Sequence, residues 1–468
     1  MTETRNRFDY DVAILGGGSA GYAAARTAAA AGLRTVVIES GAEVGGLCLL
    51  RGCMPTKALL YAAEVLHLVR HAEPWGIRAE NVGFDFAKVM ARKNTLIKGF
   101  ADDRREQLAS GKFRFIRANA TFLDPHSVAV SNAGPLTAAQ FVIATGSTVA
   151  PPPLPPLRDL GYLTSDDALK LTQLPKSLIV LGGGAVAVEF AQFFARFGVH
   201  VTLLQRGEHI LREFDTDAAM EIEKVFRRDG IEVFTNTKLT DARCDGRLKT
   251  ISFQHHGQPV SVSAEEILFA LGRVPNIASL DLDKAGVATE RGRIVANEFM
   301  QTSAPHIYTA GDCTGPHQIV HLAVQQGEIA AHNIAHPNAP RRMEHRLLLA
   351  VIFTEPQVAF VGLTEKTAAT RGVPYLTARH LFCDHGKSLI MEVRDGYVKL
   401  LADPQSGEIF GGACVGPVGG ELIHEIVAAL AKRMTVHELA ALPHYHPTLA
   451  EIWTYPAEAL VERIPAPR

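Results

Sequence analysis

The amino-acid sequence predicts an α/β protein with two domains built on parallel sheets and a C-terminal α+β domain. Three observations predict this class. A strand, a glycine-rich turn, an alanine-rich helix and a second strand follow one another over residues 10–39. The same order returns over residues 177–205, and from residue 346 the chain changes to shorter strands with hairpin signals. Strands that alternate with helices are typical of parallel sheets, whereas consecutive short strands indicate an antiparallel sheet.

Length and composition describe a folded chain of several domains. Its 468 residues exceed what one hydrophobic core normally holds. Apolar residues make up 47% of the chain and charged residues 21%, which is typical of globular proteins rather than disordered ones. The 47 basic residues nearly balance the 49 acidic residues. The sequence therefore predicts neither a nucleic-acid partner nor attachment to an anionic membrane.

The N-terminal segment, the apolar runs and the cysteine usage predict a cytoplasmic location. The segment MTETRNRFDYDV is polar and contains no apolar stretch of signal-peptide length. The apolar run LLLAVIF at 347–353 is far shorter than the roughly 20 residues that a membrane-spanning helix needs. The chain has six cysteines, four of them scattered, which is typical of a reducing compartment. Only Cys48 and Cys53 form a pattern.

The first glycine turn has the spacing of a dinucleotide-binding fingerprint. Gly16, Gly18 and Gly21 stand in G-x-G-x-x-G spacing between a strand and a helix. These glycines allow backbone to approach a pyrophosphate at the helix N-terminus, and Glu39 after the second strand can accept hydrogen bonds from ribose hydroxyls. We therefore predict a Rossmann-like dinucleotide-binding domain. The alternative is a glycine turn that only links strand to helix.

A second turn repeats the first. Gly182, Gly184 and Ala187 follow the strand SLIVL in the same spacing as the first three glycines. A second helix and strand come after them in the same order. The chain is therefore predicted to contain two Rossmann-like domains, each with its own dinucleotide site.

The residues after the second repeat predict the choice of cofactor. In the repeated register Gln205 takes the place of Glu39, and Arg206 follows it. A carboxylate here would repel a 2′-phosphate, whereas Arg206, with Arg212, could attract one. The sequence thus favours NADPH over NADH, with NADH still possible. The alternative is that Arg206 is a solvated loop residue.

Small-residue turns and a proline-rich segment predict the domain boundaries. The strands in AAQFVIATGS and EEILFALGRVPN each end in such a turn, and APPPLPPL at 150–157 indicates a stiff linker. A further strand in SAPHIYTAGDCTG ends in a glycine turn, where Asp312 can meet a polar cofactor group. The predicted segments are a first dinucleotide domain over 1–149, a second over 150–273, a return segment over 274–345 that completes the first, and a C-terminal domain over 346–468.

Cys48 and Cys53 predict a redox-active dithiol next to the first dinucleotide site. They lie in GGLCLLRGCMPTKALL, and a straight helix would separate them by about 7.5 Å along its axis, beyond the usual disulfide range. Gly52 allows a distorted turn, and Pro55 suits the first turn of the helix that follows. Cys53 would then lie at a helix N-terminus that stabilises its thiolate, with Cys48 nearer the substrate. The alternative is two reduced cysteines that pack as small apolar residues.

Near the C-terminus, HYHPTLAE predicts a proton-transfer pair. An attacking thiol needs a partner that takes up and returns its proton near neutral pH, which suits His446, and Glu451 can orient that imidazole. His444 is interpreted as auxiliary. The alternatives are a metal site on His444 and His446, or an ordinary core or surface histidine pair.

These motifs together resemble the flavin-dependent pyridine nucleotide-disulfide oxidoreductases, the family of dihydrolipoamide dehydrogenase, glutathione reductase and mercuric reductase. The resemblance runs from about residue 9 to residue 455. It rests on GGLCLLRGCMPTKALL, both glycine fingerprints, ATG at 144–146, TAGD at 309–312 and HYHPTLAE at 444–451.

The resemblance implies a homodimeric enzyme with FAD in the first domain and NAD(P) in the second. It implies that Cys53 is the flavin-side thiol and Cys48 the interchange thiol, that Lys57 pairs with Glu189 near the flavin, and that His446 and Glu451 complete the active site of the opposite subunit. The C-terminal domain would form the dimer interface. The expected FAD contacts are Gly16, Gly18, Gly21, Glu39, Gly46, Thr145, Gly146 and Asp312. The expected NAD(P) contacts are Gly182, Gly184, Ala187, Gln205, Arg206, Gly272 and Arg273.

Several residues depart from individual members of the family. Gln205 stands where dihydrolipoamide dehydrogenases typically carry an acid, and the last cysteine is Cys414, so the C-terminal cysteine pair of mercuric reductases is missing. In the cysteine box Leu47 and Leu50 replace a threonine and an asparagine, while Met54 and Thr56 are milder changes. The two leucines predict a more apolar pocket beside the dithiol, which could change the substrate or the redox potential.

The leading hypothesis is an FAD enzyme that passes electrons from NADPH through Cys53 and Cys48 to a small-molecule disulfide or another thiol-reactive acceptor. The runner-up is an NAD-linked dihydrolipoamide dehydrogenase. A third hypothesis, a flavin-binding structural or interaction subunit without turnover, is disfavoured because every expected catalytic residue is present. A fourth is a flavoenzyme that mainly reduces oxygen or quinones without the cysteines.

Overall fold

The structure, a computed structural model, describes residues 7–465. Strands and helices occur along the whole described chain. The strands are, in chain order, β1 (Tyr10–Leu15), β2 (Thr35–Glu39), β3 (Arg114–Arg117), β4 (Ala120–Asp124), β5 (Ser127–Val130), β6 (Gly134–Ile143), β7 (Ser147–Val149), β8 (Ser177–Leu181), β9 (His200–Leu204), β10 (Glu232–Phe234), β11 (Thr237–Asp245), β12 (Leu248–His255), β13 (Gln258–Ala264), β14 (Glu266–Phe269), β15 (Arg273–Pro275), β16 (Thr289–Glu290), β17 (Arg293–Ile294), β18 (Ile307–Thr309), β19 (Leu349–Ile352), β20 (Gln357–Gly362), β21 (Leu376–Leu381), β22 (Tyr397–Ala402) and β23 (Ile409–Gly416).

The helices lie between these strands and after them. They are α1 (Ser19–Ala30), α2 (Gly46–Arg51), α3 (Cys53–Arg70), α4 (Phe86–Leu108), α5 (Pro155–Leu160), α6 (Ser165–Ala168), α7 (Ala185–Arg196), α8 (Thr216–Arg228), α9 (Val320–Ala335), α10 (Glu365–Arg371), α11 (Gly386–Ile390), α12 (Gly419–Ala431), α13 (Val436–Ala440) and α14 (Thr454–Val461). Short 3-10 turns occur at Glu73–Trp75, Leu282–Ala285, Asp312–Thr314, Phe382–Asp384 and Ala450–Trp453. Within the described part of the chain, no helix is long and apolar enough to cross a membrane.

Across residues 7–465 the chain divides into two compact units, each assembled from stretches that are distant in sequence. Unit 1 comprises the residues up to 58, 90–151 and 272–344. Unit 2 comprises 59–89, 152–271 and the residues from 345 onward.

Unit 1 is built on a sheet with the strand order of a dinucleotide-binding fold. The order is β3-β2-β1-β6-β5-β4, with β18 also paired to β6. The pairs β1–β2, β2–β3, β1–β6 and β18–β6 are parallel, whereas β4 and β5 form an antiparallel extension. The parallel strands are apolar because both faces are covered, and residues such as Ile14, Val37 and Phe141 are fully buried. The carboxyl ends of β1, β2 and β6 therefore meet at one edge, where such folds bind ligands.

Unit 2 contains a second parallel sheet and two antiparallel sheets. The parallel sheet has the order β10-β9-β8-β14, and the turn from β8 into α7 repeats the turn from β1 into α1. The smaller antiparallel sheet has the order β11-β12-β13, and the larger one, in the C-terminal part, has the order β19-β20-β23-β22-β21. Its strands share a buried core with α12, α13 and α14 that includes Phe382, Ile426 and Trp453. The predicted α/β class with two Rossmann-like domains and a C-terminal α+β domain is confirmed.

Two local expectations need correction. The last three residues of the segment predicted as a stiff linker are helical, because α5 begins at Pro155, a residue whose fixed φ suits the first turn of a helix. The helix that Pro55 was expected to open begins earlier, at Cys53, and Cys48 lies within the short helix α2.

Candidate active site

The first glycine turn lies closer to the end of β6 than a residue with a side chain could lie. Gly16 has φ +109°, and a Cβ there would lie 2.3 Å from the carbonyl oxygen of Ala144 at the end of β6. Gly18 is the N-cap of α1, and its carbonyl accepts from the N–H of Tyr22 (2.8 Å). No side chain caps α1, so its first N–H groups point into this turn. The turn is therefore a cradle for an anionic group at a helix N-terminus.

Glu39 is held at the end of β2 by two backbone N–H groups. Its Oε2 accepts from Gly17 (2.6 Å) and its Oε1 from Gly41 (2.7 Å). Each carboxylate oxygen keeps a further lone pair for another donor. The carboxylate is thus fixed beside the glycine turn, at the position expected of a ribose acceptor.

Further polar groups at the same edge fit a dinucleotide. Thr145 follows β6, and its Oγ1 is buried without a hydrogen-bond partner in the described residues. A buried hydroxyl normally finds a partner, so this one fits a bound polar group. Gly146 continues this turn at φ +72°, while Gly46 has φ +75° and a Cβ on it would lie 2.6 Å from the Cα of Gly18. The cradle and the unpartnered hydroxyl therefore both fit FAD.

Asp312 is connected to Arg273 through a serine that the sequence did not single out. Its Oδ2 accepts from the Ser147 hydroxyl (2.7 Å). The Arg273 guanidinium donates through Nε to the Ser147 hydroxyl (2.9 Å) and through a terminal nitrogen to the Ser147 carbonyl (2.7 Å). Arg273 was expected at the NAD(P) site, and the structure places these contacts in unit 1. No sequence signal joins these three residues, because they are far apart along the chain.

The second glycine turn reproduces the geometry of the first. Gly182 has φ +117°, and a Cβ there would lie 2.4 Å from the carbonyl oxygen of Ala270 at the end of β14. Gly184 is the N-cap of α7, and Ala187 is fully buried on that helix. Gly272, in the following turn, has φ +111°. The turn is thus a second cradle that fits a pyrophosphate.

The groups beside the second turn differ from those beside the first. Gln205 donates through Nε2 to the carbonyl of His209 (3.1 Å), and so no carboxylate stands at the position of Glu39. Arg206 is exposed and makes no side-chain hydrogen bond or ion pair within residues 7–465. Arg212 is also exposed.

The cysteine pair lies where two helices break at Gly52. The helix α2 ends at Arg51 and α3 begins at Cys53. A Cβ on Gly52 would lie 3.2 Å from the Cα of Cys48, so the chain turns back closely on itself here. Both cysteines are free thiols. The predicted distortion is therefore present, and Cys53 lies at the N-terminus of a helix, as expected.

The two thiols interact directly. The hydrogen bond to Cys53 is the largest cause that raises the pKa of the Cys48 thiol, followed by burial and by the charge of Cys53. The nearby ammonium of Lys57 acts in the opposite direction. The two thiols therefore do not titrate independently, and this contact favours the protonated form of Cys48.

Lys57 and Glu189, the expected pair near the flavin, belong to different units. Lys57 lies on α3 in the part that belongs to unit 1. Glu189 is buried on α7 in unit 2, where its Oε1 accepts from the N–H of Phe353 (2.9 Å). Their pairing stays a prediction.

His446 and Glu451 are in contact. The Nδ1 of His446 lies 3.0 Å from Oε2 and 3.2 Å from Oε1 of Glu451. The imidazole is largely exposed, whereas the carboxylate is buried. Because Nδ1 faces the carboxylate, Nε2 is left for exchange with solvent or substrate.

His444 contacts a different carboxylate. Its Nε2 lies 2.7 Å from Oε1 of Glu425 on α12. Because His444 and His446 face separate carboxylates, the alternative of a shared metal site receives no geometric support. In the described chain no group of three or more metal-ligating side chains comes together.

The structure also reveals a buried histidine at this dyad that the sequence did not indicate. His385 Nε2 lies 3.2 Å from Oε1 of Glu451, on the side opposite to solvent. His385 precedes the short helix α11, far from HYHPTLAE in sequence. No spacing pattern could have linked the two.

Comparison with known proteins agrees with this arrangement. Residues 10–327 match the family described as pyridine nucleotide-disulphide oxidoreductase, and residues 349–457 match the dimerisation domain of the same family. The dihydrolipoyl dehydrogenase of Geobacillus stearothermophilus is 35% identical over 453 residues, covering 95% of both chains. A dihydrolipoyl dehydrogenase of Bacillus subtilis is 36% identical over 459 residues, covering 95% of this chain and 96% of the relative.

Comparison with solved structures indicates the same family. The chain is similar to LpdA from Mycobacterium tuberculosis, with a TM-score of 0.86 and 28% identity over 96% of this chain and 99% of that one. It is also similar to the HOCl-induced flavoprotein disulfide reductase RclA from Escherichia coli, solved as a Cu(II) complex, with a TM-score of 0.85 and 26% identity over 96% of this chain and 99% of that one. The chain carries the family's dimerisation domain, which supports a homodimer. It therefore belongs to the pyridine nucleotide-disulphide oxidoreductase family, as an enzyme that uses FAD and a pyridine nucleotide.

Proposed function

We propose that this enzyme transfers two electrons from NADPH, through FAD and the pair Cys48 and Cys53, to a disulfide or another thiol-reactive acceptor. The observation that carries the proposal is the hydrogen-bonded thiol pair at the break between α2 and α3. When bound, the flavin supplies the passage of two electrons between the nicotinamide and this pair.

The acceptor step is a pair of thiol–disulfide exchanges. The Cys48 thiolate attacks one sulfur of the acceptor disulfide, forming a mixed disulfide and releasing the other sulfur as a thiolate. The Cys53 thiolate then attacks Cys48, forming the internal disulfide and releasing the second acceptor thiolate. The acceptor has gained two electrons and takes up two protons. The internal disulfide is reduced again by the two electrons of the NADPH hydride.

His446 is proposed as the acid and base for these protons. As the imidazole takes the proton from Cys48 it becomes a cation, which the carboxylate of Glu451 stabilises at 3.0 Å. The protonated Nε2 then returns the proton to the leaving thiolate. We propose that this dyad serves the active site of the partner subunit in a homodimer.

The preference for NADPH follows from the charges beside the second glycine turn. A 2′-phosphate at the adenosine ribose needs cations and an absence of carboxylate. Gln205 is neutral, and the exposed guanidinium of Arg206 has no competing ion pair in the described chain. This arrangement favours the phosphorylated cofactor.

The acceptor pocket is proposed to be apolar on the side of α2. Leu47 and Leu50 are half-buried on either side of Cys48. Because RclA was solved with Cu(II), a thiol-reactive metal ion belongs among the acceptors to assay beside lipoamide, cystine and glutathione disulfide.

We place the protein in the cytoplasm, because the free and exposed thiols of Cys244 and Cys383 suit a reducing compartment.

The proposal is tested by anaerobic titration of the purified enzyme with NADPH and, separately, with NADH. The flavin spectrum is followed in the wild type and in Cys53→Ser. We expect two-electron reduction to produce a long-wavelength absorption band that the variant lacks, and we expect NADPH to act faster. Simple bleaching of the flavin in both proteins would remove the cysteine pair from the electron path. It would favour a direct oxygen or quinone reductase instead, in which Cys48→Ser leaves turnover intact.

An NAD-linked dihydrolipoamide dehydrogenase is the second candidate. It is favoured by relatives of that name that match nearly the whole chain at 35% and 36% identity. Turnover of dihydrolipoamide with NAD, compared with turnover of disulfides with NADPH, separates the two candidates. Fast lipoamide chemistry with NAD would establish the second candidate and reject the first.

A further inference from the structure

The carboxylate of Glu451 has a histidine on each side. His446 approaches it from the solvent side, and His385 approaches it from the protein core. The two imidazoles share Oε1, which lies 3.2 Å from Nε2 of His385 and 3.2 Å from Nδ1 of His446. His385 is completely buried, whereas the side chain of His446 is 77% exposed. The buried histidine therefore reaches the proton-transfer pair without touching solvent.

The hydrogen-bond partners of His385 determine its tautomer. An ionised carboxylate only accepts hydrogen bonds, so Nε2 must carry the hydrogen that His385 donates to Glu451. The Nδ1 lies 2.8 Å from the Ser388 hydroxyl, which is also fully buried. In the neutral ring Nδ1 then accepts, and the serine hydroxyl donates. The chain of contacts Ser388, His385, Glu451 and His446 thus has every donor matched to an acceptor.

Burial keeps the ring of His385 in this neutral form. Burial is the largest cause that lowers the pKa of His385, and contact with Glu451 acts in the opposite direction. The other titratable groups near the ring are His446, His380 and Tyr455. His380 stacks on Tyr455 with ring centroids 4.1 Å apart, and Tyr455 meets His385 edge-on at 6.0 Å. None of these neighbours is a carboxylate, so Glu451 is the carboxylate that accepts from Nε2 of His385.

Backbone hydrogen bonds and core packing hold both residues of this contact in place. His385 precedes α11, and its carbonyl accepts from the N–H of Leu389 (3.0 Å). The N–H of His385 donates to the carbonyl of Phe382, a residue of the buried core. Glu451 lies in the turn Ala450–Trp453, next to the buried Ile452 and Trp453 of the same core. Both ends of the contact are therefore fixed by packing.

We propose that His385, oriented by Ser388, is a positioning residue that holds Glu451 in line with Nδ1 of His446. This inference rests on the proposed function, in which His446 exchanges protons with Cys48 and the acceptor. Without the donor on the core side, the carboxylate can rotate away from His446 or take up a proton of its own. Either change weakens the stabilisation of the His446 cation.

The test uses His385→Leu, which removes the donor, His385→Gln, which keeps an amide donor, and Ser388→Ala. Two half-reactions are followed by anaerobic stopped flow in the full-length holoenzyme. These are reduction by NADPH and reoxidation by lipoamide across a range of pH. We expect His385→Leu to slow reoxidation about tenfold, because misalignment removes only part of a general acid–base contribution. We expect the pH midpoint of reoxidation to fall, His385→Gln to recover most of the rate, and reduction by NADPH to stay unchanged.

A control variant separates positioning from loss of packing. Leu439→Ala opens a cavity in the same core and removes no hydrogen-bonding group from the dyad. Its reoxidation should keep the wild-type pH midpoint even where its stability falls. If Leu439→Ala and His385→Leu slow reoxidation alike, with the midpoint unmoved in both, the positioning role is rejected and His385 is a packing residue.

A second measurement needs no acceptor and stays valid if the proposed function fails. The exposed ring of His446 is modified with diethylpyrocarbonate across a range of pH, and its extent of modification is read by mass spectrometry. We expect the midpoint of this modification to move to lower pH in His385→Leu and in Ser388→Ala, and to return in His385→Gln. An unchanged midpoint would overturn the inference. Failure of the proposed function would instead show as acceptor turnover that survives Cys48→Ser.

Discussion

A Cβ atom on Gly21 would lie only 1.8 Å from the carbonyl oxygen of Gly16, a distance that no real side chain tolerates. Gly21 lies in the first turn of α1, and Gly16 directly follows the strand before it. In the second repeat the same register is held by Ala187, whose methyl group is fully buried. The two turns are therefore similar in backbone path but differ in how closely the helix meets the strand.

This difference predicts that glycine and alanine can replace each other at the third position of the fingerprint in the second domain but not in the first. We expect Gly21→Ala to lose bound FAD, because the methyl group would push α1 away from the backbone of Gly16. We expect Ala187→Gly to retain both cofactors at a stability cost of about 1–2 kcal/mol, from helix propensity and one lost buried methyl group. Flavin absorbance per protein after gel filtration, together with the thermal midpoint, measures both. Retention of FAD in Gly21→Ala would contradict the close packing described here.

The charges beside the second turn predict a switch in cofactor preference. We expect Gln205→Glu to lower kcat/KM for NADPH by about tenfold while that for NADH stays the same or rises. A carboxylate placed near a 2′-phosphate costs on the order of 1–2 kcal/mol in a partly solvated site. Arg206→Ala should act in the same direction. The matched control is Arg247→Ala, another exposed arginine of unit 2. Equal effects of the two arginine variants would show that general surface charge, and not this site, sets the preference.

The dyad predicts a specific effect of removing the charge of Glu451. We expect Glu451→Gln to slow reoxidation of the reduced enzyme by roughly one to two orders of magnitude, because the His446 cation loses its carboxylate. Reduction by NADPH should keep its rate, since it does not use this proton. Single-turnover kinetics of both half-reactions measure the effect. The matched control is Glu425→Gln, which removes the carboxylate beside His444. If this control slows reoxidation as much as Glu451→Gln does, the two histidines do not have separate roles.

A half-buried histidine on α3 predicts a loss of stability in mild acid. Burial and the charge of Arg196 lower the pKa of His67 to about 4, against 6.5 in a model peptide. Between these values the unfolded chain binds a proton that the folded chain does not, so stability falls as the pH drops from about 6.5 to about 4. Since the ring is half-exposed, we expect a contribution of about 1–2 kcal/mol at most.

The measurement is the thermal midpoint of the wild type and of His67→Gln as a function of pH. We expect the variant to lose less stability than the wild type over this interval, and the two curves to run parallel above pH 7. His200→Gln, at an exposed histidine of the same unit, is the control. Curves for wild type and His67→Gln that stay parallel down to pH 4 would show that His67 titrates normally.

The first repeat shows most clearly which parts of the fold could be predicted from the sequence. The strand Tyr10–Leu15, the helix Ser19–Ala30 and the strand Thr35–Glu39 lie where the apolar run, the glycines and the alanines predicted them. These features are local, because a strand or a turn is specified by residues within about ten positions of one another. The break at Gly52 was likewise predictable, since two thiols five positions apart cannot meet along a straight helix. The helix at Pro155 was missed because proline suits both an extended linker and a first helical turn.

The contacts that assemble the site were not local. Ala144 and Ala270, against which Gly16 and Gly182 lie, stand more than eighty residues away from their partners in sequence. The bond between Ser147 and Asp312 and the bond between His385 and Glu451 span separations of 165 and 66 residues. Such contacts depend on which strands become neighbours in a sheet and on which turns share a core. Tertiary packing decides both, and local sequence patterns do not predict it.

The sequence by itself therefore determined the class of the fold, the two glycine cradles, the cysteine pair and the His446–Glu451 dyad, because each is a short pattern whose chemistry depends on spacing along the chain. The tertiary structure alone decided what surrounds them. It placed the buried imidazole of His385 behind Glu451 and joined Asp312 to Arg273 through Ser147. The physical reason is that a buried polar group must find a partner, and that partner is supplied by whichever distant segment the packing of the core brings within hydrogen-bond distance.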